Sequence, residues 1–398
     1  MANRITRRQL ALAAAGTAAL AAPNPSNASN DADNDANNDA DNYGGPLDGF
    51  ENKVDPKLFD PVAWTLGRHD SAPLKLTFRA RTRKQAEVWQ ETLRAKIIEL
   101  IGGFPSGRGE LRSQTLETRD FPTYVREKFV FESRPGVGLL GYLILPKNAP
   151  QPVPAVVCVP GHGRGVDDIV GIDEHGNDRT ARGPYEFDFA LQVAGHGLAA
   201  VAIEPMAFGC RRDARTKAKG PAAYACQPVA GSALLLGETM IGWRVFDVMR
   251  TIDWIETRPQ LDAKRIGCVG ISGGGTCALF SAALESRIRA VLVSGYLNTF
   301  RSSIMSLSHC IDNYVPGILN WAEMYDVAGL IAPRPFFSEG GDRDPIFPVA
   351  ATRESFARMR KVYEIFGATD AAQQEIFPGV HEFHGVRGLP FLATALQA

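Results

Sequence analysis

Short apolar runs alternate with helix-like stretches from residue 154 to the end of the chain, and this alternation is the strongest constraint on the fold. Strands and helices that alternate in this way predict an α/β protein with a mostly parallel sheet covered on both faces. Ligands of such open sheets bind beyond the carboxyl ends of the strands, so chemistry is expected directly after each run. The predicted strands are PAVVCVPG (154–161), GLAAVAIEP (197–205), RIGCVG (265–270), RAVLVSGY (289–296), PRPFFSEGG (333–341) and QQEIFPG (373–379), and the predicted helices between them include 240–257, 277–284 and 353–366.

Two further features precede this alternation. The stretch 83–105 has apolar residues at helical spacing and ends in a Gly-Gly pair followed by proline, so it predicts a helix that packs onto the main domain. The stretch 124–146 is apolar on both sides of a Pro-Gly turn, which predicts an antiparallel hairpin.

One strand-to-helix corner places a serine among glycines. The sequence GISGG (270–274) follows the strand at 265–270 and begins an apolar helix, which matches the nucleophile-elbow pattern with Ser272 as the nucleophile. The residues two before and two after the serine must be small, because the serine takes a strained backbone conformation. The helix N-terminus then stabilises developing negative charge near the hydroxyl. The alternative is a glycine-rich turn that only connects two core elements.

A serine hydroxyl needs a base, and the base needs a partner that orients it. In this type of fold the order along the chain is serine, acid, histidine. Asp342 and Asp344 follow the strand at 333–341, and His381 and His384 follow the strand at 373–379. We favour Asp344, because prolines stiffen the loop that presents it, and His381, because it comes directly after its strand. Asp342 and His384 are then expected to brace the local structure.

The oxyanion of an acyl-transfer intermediate also needs hydrogen-bond donors. One is expected to be the backbone amide of Gly273, the residue after the nucleophile. The second is expected in the loop CVPGHGRG (158–165) after the first central strand, with the amide of Arg164 as first choice and that of Gly163 as second. His162 in the same loop is expected to brace the loop rather than to act as a base.

These residues, together with four further stretches, resemble the α/β-hydrolase superfamily. The resemblance is closer to bacterial esterases of the acetylxylan-esterase-like or dienelactone-hydrolase-like kind, and it extends from about residue 50 to the C-terminus. It implies an α/β-hydrolase fold with a short lid, and hydrolysis of carboxylic esters by Ser272, His381 and Asp344 through an acyl-enzyme, without metal or cofactor. Dienelactone hydrolases proper use cysteine as the nucleophile, so the serine indicates the esterase side. The four stretches are EPMAFGCRR (204–212), LLLGETMIGWRVFDVMRTIDW (234–254), HCIDNYVPGI (309–318) and DVAGLIAPRPFF (326–337).

The substrate is less constrained than the reaction. The segment 207–234 is expected to form the lid, and His309 and Glu323 are candidates for substrate contact, although structural hydrogen bonding in their loop is the alternative. A small-molecule or carbohydrate ester is expected, and xylan rests on analogy alone. The alternatives for function are a serine peptidase of the same fold and a hydrolase-fold protein that only binds.

The N-terminal region predicts export. Residues 1–22 contain a twin-arginine motif, TRRQL, before a short Ala/Leu-rich run, which is typical of a cleaved export signal. That run is too short to span a bilayer, so no stable membrane anchor is expected. Residues 23–49 are rich in Asn, Asp and Ala and predict a disordered linker, which leaves 50–398 as the catalytic domain.

Charge and cysteine usage exclude other classes. A formal net charge of -1 on 398 residues, with no basic patch, argues against nucleic acid as a partner. The linear Cys/His spacing matches no zinc pattern, so no metal is expected. Cys210 and Cys226 flank a polar loop and could form a disulfide in an exported protein. Cys310 has no assigned role, and the cysteines expected as buried small hydrophobic residues are Cys158, Cys268 and Cys277.

Overall fold

The computed structural model describes residues 45–50, 52–220 and 223–397. The predicted export signal and the linker up to residue 44 lie outside this range. Residues 45–50 contain a turn and belong to one unit, and the other unit, which begins at residue 51, contains the sheet.

Nine strands form one sheet within the described residues, in the order β1-β2-β3-β5-β4-β6-β7-β8-β9. The first pairs along this order, up to β3 with β5, are antiparallel, and the pairs from β5 with β4 to β8 with β9 are parallel. The predicted mostly parallel sheet is therefore confirmed. The strands are β1 (Gln114–Asp120), β2 (Tyr124–Arg134), β3 (Val137–Pro146), β4 (Val153–Val159), β5 (Ala199–Ile203), β6 (Leu261–Ile271), β7 (Ile288–Ser294), β8 (Phe336–Gly341) and β9 (Ala372–Phe377).

Helices follow most of the parallel strands, as the alternation predicted. The described α-helices are α1 (Pro61–Ser71), α2 (Arg83–Leu100), α3 (Phe189–Gly195), α4 (Ala214–Lys217), α5 (Cys226–Leu235), α6 (Met240–Glu256), α7 (Gly273–Leu284), α8 (Met324–Gly329), α9 (Val349–Phe366) and α10 (Gly388–Gln397). None of the described helices is both long enough and apolar enough to cross a membrane.

Both faces of the central sheet are buried. In β4, Ala155, Val157 and Val159 join one apolar cluster, whereas Val156 and Cys158 between them join another. Because successive side chains of a strand point to opposite faces, this division places one cluster on each side of the sheet. It explains why the strand sequences are continuously apolar rather than alternating.

The helix and the hairpin that were predicted before residue 154 are also confirmed, and the hairpin is part of the sheet. Helix α2 buries Leu93 and Ile97 against the core, and β2 pairs with β3 as an antiparallel hairpin. Strand β1 was not predicted, because all seven of its residues are exposed and polar residues dominate its sequence.

The strand order reverses beside β4. The chain passes from β4 to β5 on one side, and β6 then pairs with the other side of β4. Such a reversal opens a crevice at the carboxyl ends of the two flanking strands. The loop after β4 and the corner after β6 therefore meet at this edge of the sheet.

Candidate active site

Ser272 stands at the corner between β6 and α7 in a strained backbone conformation. Its φ of 54° and ψ of -120° lie outside the usual regions for a residue with a side chain, and its amide donates to the Ser294 carbonyl at 3.0 Å. A Cβ atom on Gly270 would lie 2.3 Å from the Gly274 oxygen, and one on Gly274 would lie 2.0 Å from the Val159 oxygen. The glycines on either side of the serine are therefore required by close backbone contacts.

The first turn of α7 faces the loop after β4. The amide of Thr276 closes this turn on the Ser272 carbonyl at 2.8 Å. The Gly273 amide donates no hydrogen bond to any described residue, and a Cβ atom on Gly273 would lie 2.8 Å from Cε1 of His162. The free amide and the helix N-terminus together make a donor site beside the serine.

Asp344 and His381 form a close pair. Nδ1 of His381 lies 2.7 Å from Oδ2 of Asp344, and both side chains are almost fully buried. The other carboxylate oxygen accepts the amides of Ile346 at 2.9 Å and Phe347 at 3.0 Å, which fixes the carboxylate. Nε2 of His381 is buried and has no partner among the described residues. This nitrogen is therefore available for a reacting proton.

The two duplicate residues have other contacts. Asp342 accepts the Gly379 amide at 3.1 Å, so it connects the loop after β8 to the loop after β9. The ring of His384 stacks on Phe377 at 4.3 Å between centroids. Asp344 and His381, rather than these neighbours, are the residues that the fold brings together.

Tyr185 also lies at the site, although no sequence motif marks it. Its hydroxyl interacts with the Ser272 side chain and would lie 2.2 Å from a Cβ atom on Gly161. Its ring is 5.7 Å from that of His381 between centroids, and its carbonyl accepts the Phe383 amide at 2.8 Å. Burial raises the pKa of the Tyr185 phenol, so the hydroxyl stays protonated and can donate.

The segment that carries Tyr185 is strained and strongly braced. Tyr185, Phe187 and Asp188 all have positive φ values, between 50° and 66°. Glu186 accepts the Gly161 amide at 2.5 Å, and the Asp188 carboxylate pairs with Arg179 at 2.6 Å. Strained backbone of this kind persists only where surrounding contacts hold it, and it is frequent at active sites.

The Arg164 amide is not the free hydrogen-bond donor that the sequence predicted. It donates to Oδ2 of Asp168 at 2.8 Å, and the Arg164 guanidinium pairs with the same carboxylate. The carboxylate four residues later thus folds the loop back on itself. The amides of His162 and Gly163 donate no hydrogen bond within the described residues. The geometry therefore favours these amides over that of Arg164 as the donor opposite Gly273.

The two candidate substrate contacts differ. His309 packs on Phe347, the residue that also stacks on His381, and its Nε2 lies 3.3 Å from the Ile346 carbonyl. Burial lowers the pKa of His309, which favours the neutral imidazole. The carboxylate of Glu323, in contrast, accepts three backbone amides and caps α8, so its oxygens are committed to structure.

The predicted lid borders His162, and its two cysteines are not bonded to each other. Cys210 and Cys226 are both free thiols, and they form no disulfide. The segment 207–234 contributes Phe208 and Tyr224, whose rings lie 5.1 Å and 5.6 Å from the His162 ring between centroids. The lid segment therefore borders the loop that carries the candidate oxyanion donors.

Comparison with known proteins agrees with the fold described above. The model of the Abhydrolase family matches residues 68–375. A relative from Bacillus subtilis (strain 168), named "Putative hydrolase YtaP", is 26% identical over 283 residues, which cover 70% of this chain and 89% of the relative.

Two solved structures share the fold. A protein from Bacteroides fragilis, described as a "putative acetyl xylan esterase", superimposes with a TM-score of 0.67 at 23% identity, over 80% of this chain and 82% of the other. A glucuronoyl esterase from Solibacter usitatus superimposes with a TM-score of 0.60 at 15% identity, over 82% of this chain and 98% of the other. At these identities the two likenesses establish the α/β-hydrolase fold.

Proposed function

This chain belongs to the Abhydrolase family, and from that premise we propose that it is a serine esterase that hydrolyses carboxylic esters through an acyl-enzyme. The observation that carries the proposal is the pair of Asp344 and His381, whose Nδ1–Oδ2 distance is 2.7 Å while the buried Nε2 has no partner. A third group, Ser272, stands on a strained corner at the same edge of the sheet. This set matches the acid, base and nucleophile that acyl transfer needs.

The proposed reaction has two halves. Nε2 of His381 takes the proton of Ser272 as the oxygen attacks the ester carbonyl, and it then gives that proton to the leaving alcohol. Water repeats the sequence in the second half, with His381 again as the base, and releases the acid and the free serine. Asp344 keeps Nδ1 protonated and stabilises the imidazolium that forms.

Three donors are proposed for the oxyanion. The amide of Gly273 is the first, and the second is an amide of the loop after β4, from His162 or Gly163. The hydroxyl of Tyr185 is the third, because it is protonated and lies next to Ser272. Donors fixed before the reaction stabilise the developing charge without the cost of reorganisation.

We also propose that the ester belongs to a carbohydrate. The support is that two proteins of the same fold are named for such substrates, the "putative acetyl xylan esterase" and the glucuronoyl esterase described above. A panel of acetylated xylo-oligosaccharides, methyl glucuronate esters, simple alkyl acetates and lactones separates the possibilities. A kcat/KM for simple alkyl acetates above that for every carbohydrate ester would contradict this part of the proposal.

The esterase itself is tested with a short-chain p-nitrophenyl ester. We expect turnover by the wild-type protein and a loss of about 10⁶-fold in Ser272→Ala, because removal of the nucleophile of a triad abolishes its joint action. Ser232→Ala, which changes an exposed serine of α5, is the matched control and should keep full activity. Full activity of Ser272→Ala would refute the proposal.

Two further measurements address the alternatives. Peptide amides assayed beside esters distinguish an esterase from a serine peptidase of the same fold. Covalent labelling by a fluorophosphonate, absent in Ser272→Ala, distinguishes an enzyme from a protein that only binds. A wild-type protein that resists the label while it remains folded would favour the binding protein.

Export through residues 1–22 is also proposed. Arg7 and Arg8 stand directly before the apolar run, in the arrangement that twin-arginine signals use. Replacement of both by lysine keeps the charge but should leave the protein in the producing cell. Cell fractionation of the wild type and the double variant tests the idea, and equal export of both would contradict it.

A further inference from the structure

Four side chains with metal-binding atoms meet beside the active site. They are His162 from the loop after β4, Cys226 at the start of α5, and Cys310 and Asp312 from the loop after β7. One ligand atom from each lies within 4.8 Å of every other. Because the four residues come from three separate segments, their linear spacing matches no zinc pattern and only the fold brings them together.

The distances fit a tetrahedral site. Bonds of about 2.3 Å from zinc to sulfur and about 2.0–2.1 Å to nitrogen or oxygen give tetrahedral edges of about 3.5 Å for sulfur with either atom and about 3.3 Å for nitrogen with oxygen. The Sγ of Cys226 lies 3.8 Å from Nε2 of His162 and 3.5 Å from Oδ2 of Asp312. The Nε2–Oδ2 distance is 3.1 Å. The three edges therefore agree with a bound ion to within a few tenths of an ångström.

The charges also balance around a divalent cation. Two thiolates and one carboxylate would bring three negative charges into a region where Cys226 and Asp312 are buried. The Arg244 guanidinium, 2.5 Å from Oδ2 of Asp312 and 3.7 Å from the Sγ of Cys226, supplies one positive charge. A divalent ion would supply the other two. Buried charges are tolerated only when they are compensated in this way.

Arg244 would then orient a ligand of the ion, Asp312, without binding the ion itself. Ligating carboxylates are commonly hydrogen-bonded by a neighbouring group, which orients them toward the ion. Asp312 has such partners on both oxygens, since Arg244 donates to Oδ2 and the side-chain amide of Asn313 donates to Oδ1 at 3.0 Å.

We propose that His162, Cys226, Cys310 and Asp312 form a structural site for a divalent cation that favours sulfur ligands, such as Zn²⁺. Four protein ligands leave no open position for a substrate, which is the arrangement of structural rather than catalytic zinc sites. The ion would tie the lid segment and the loop after β7 to the loop after β4. It would also fix the His162 ring, which lies against Gly273 next to the nucleophile.

Cobalt(II) tests this proposal directly, because thiolate ligands give Co²⁺ an intense charge-transfer absorption. The protein is reduced, stripped with a chelator and titrated with Co²⁺. We expect one equivalent to bind with thiolate charge-transfer and tetrahedral d–d bands, and Zn²⁺ to displace it. In Cys310→Ser, which lacks one of the two sulfur ligands, the charge-transfer band should be weaker or absent. Cys210→Ser, which changes an exposed thiol of the lid segment, is the matched control and should keep the full band.

Stability gives a second readout. Zn²⁺ should raise the Tm of the wild-type protein and of Cys210→Ser, since a ligand that binds the folded state stabilises it, but it should not raise the Tm of Cys310→Ser. Circular dichroism of the stripped proteins checks that Cys310→Ser is folded, and Cys226→Ser serves as a second variant. Absence of a thiolate band in the reduced wild type, or a band unchanged in both variants, would overturn the proposal.

The result does not depend on the esterase proposal. Ser272→Ala should bind Co²⁺ as the wild type does, whatever its activity. A disulfide between Cys226 and Cys310 in protein purified without reductant would use the same two sulfurs and would also overturn a resident metal. Thiol titration before and after reduction, together with the metal content of the purified protein, distinguishes these two states.

Discussion

The carboxylate of Asp344 is held on both of its oxygens: one contacts Nδ1 of His381 at 2.7 Å, and the other accepts the amides of Ile346 and Phe347. The backbone amides of the loop after β8 therefore orient the acid before any substrate binds. The imidazole in turn keeps its other nitrogen free. This relationship makes Asp344 and His381 a fixed pair, and the proposed mechanism adds the hydroxyl of Ser272 to it.

Asp344→Asn tests that unit. The asparagine amide would favour the wrong tautomer of His381, so kcat for a p-nitrophenyl ester should fall by about 10⁴-fold, as for the equivalent change in other triads. Asp342→Asn is the matched control, because its partly exposed side chain only bridges two loops, and it should lose little activity. Equal losses in the two variants would contradict the assignment of Asp344.

Tyr185→Phe tests the proposed side-chain donor. Loss of the hydroxyl should lower kcat by about 10²-fold and leave KM nearly unchanged, because an oxyanion donor acts mainly in the transition state. Tyr363→Phe is the control, since this buried hydroxyl bonds the Arg334 carbonyl instead. An increase in KM alone for Tyr185→Phe would show that the hydroxyl binds substrate rather than the oxyanion.

Gly274→Ala tests the steric requirement of the corner. The added Cβ atom would lie 2.0 Å from the Val159 oxygen, so the variant should be destabilised by about 3 kcal/mol or more, at the upper end for an overfilled core, and be inactive. Gly231→Ala in α5 meets no atom within 4 Å and should stabilise the helix by about 0.5–1 kcal/mol. Urea unfolding measures both, and a Gly274→Ala protein as stable as the wild type would be inconsistent with this geometry.

Glu204 makes stability depend on pH. Burial raises its pKa to about 8, although the Val166 amide donates to it at 3.1 Å. Between the ordinary value of 4.5 and about 8 the folded protein therefore holds this proton while the unfolded chain does not, so the contribution of Glu204 to the free energy of unfolding falls as pH rises through this window.

Glu204→Gln should remove that slope, because its side-chain amide is neutral at every pH. The measurement is the urea midpoint at about pH 5 and about pH 9, where the wild type should lose more stability than the variant on going to the higher pH. Glu117→Gln, on the exposed strand β1, is the control and should behave as the wild type. A slope that persists in Glu204→Gln would assign the titration to another group.

Local sequence patterns predicted most of the strands and the corner at Ser272, because both depend mainly on residues that are neighbours in the chain. The six runs from 154 onward became β4 to β9, because a continuous apolar run can be buried only between two covered faces. The need for glycine around Ser272 was predictable for a similar reason. The close backbone contacts occur at Gly270 and Gly274, which lie within one five-residue corner.

Arg164 shows where such local reasoning fails. Its amide was expected to be free, but it donates a hydrogen bond to the carboxylate of Asp168, four residues later. Tyr185 left no pattern at all, because its place beside Ser272 depends on the Glu186 and Phe383 contacts that brace its strained segment. In both cases the residues that make the contact belong to no recognisable sequence motif, so the contact is evident only from the structure.

The sequence by itself determined the fold class, the glycine-rich corner at Ser272 and the loops in which Asp344 and His381 follow their strands, because periodicity, turn sterics and strand ends are local properties. Only the tertiary structure decided which amides are free, which tyrosine borders the serine, and that Cys226 lies 3.8 Å from His162, 64 residues away along the chain, rather than bonded to Cys210. Those outcomes depend on strand order and on competition among hydrogen-bond partners, and no short stretch of residues predicts either of them.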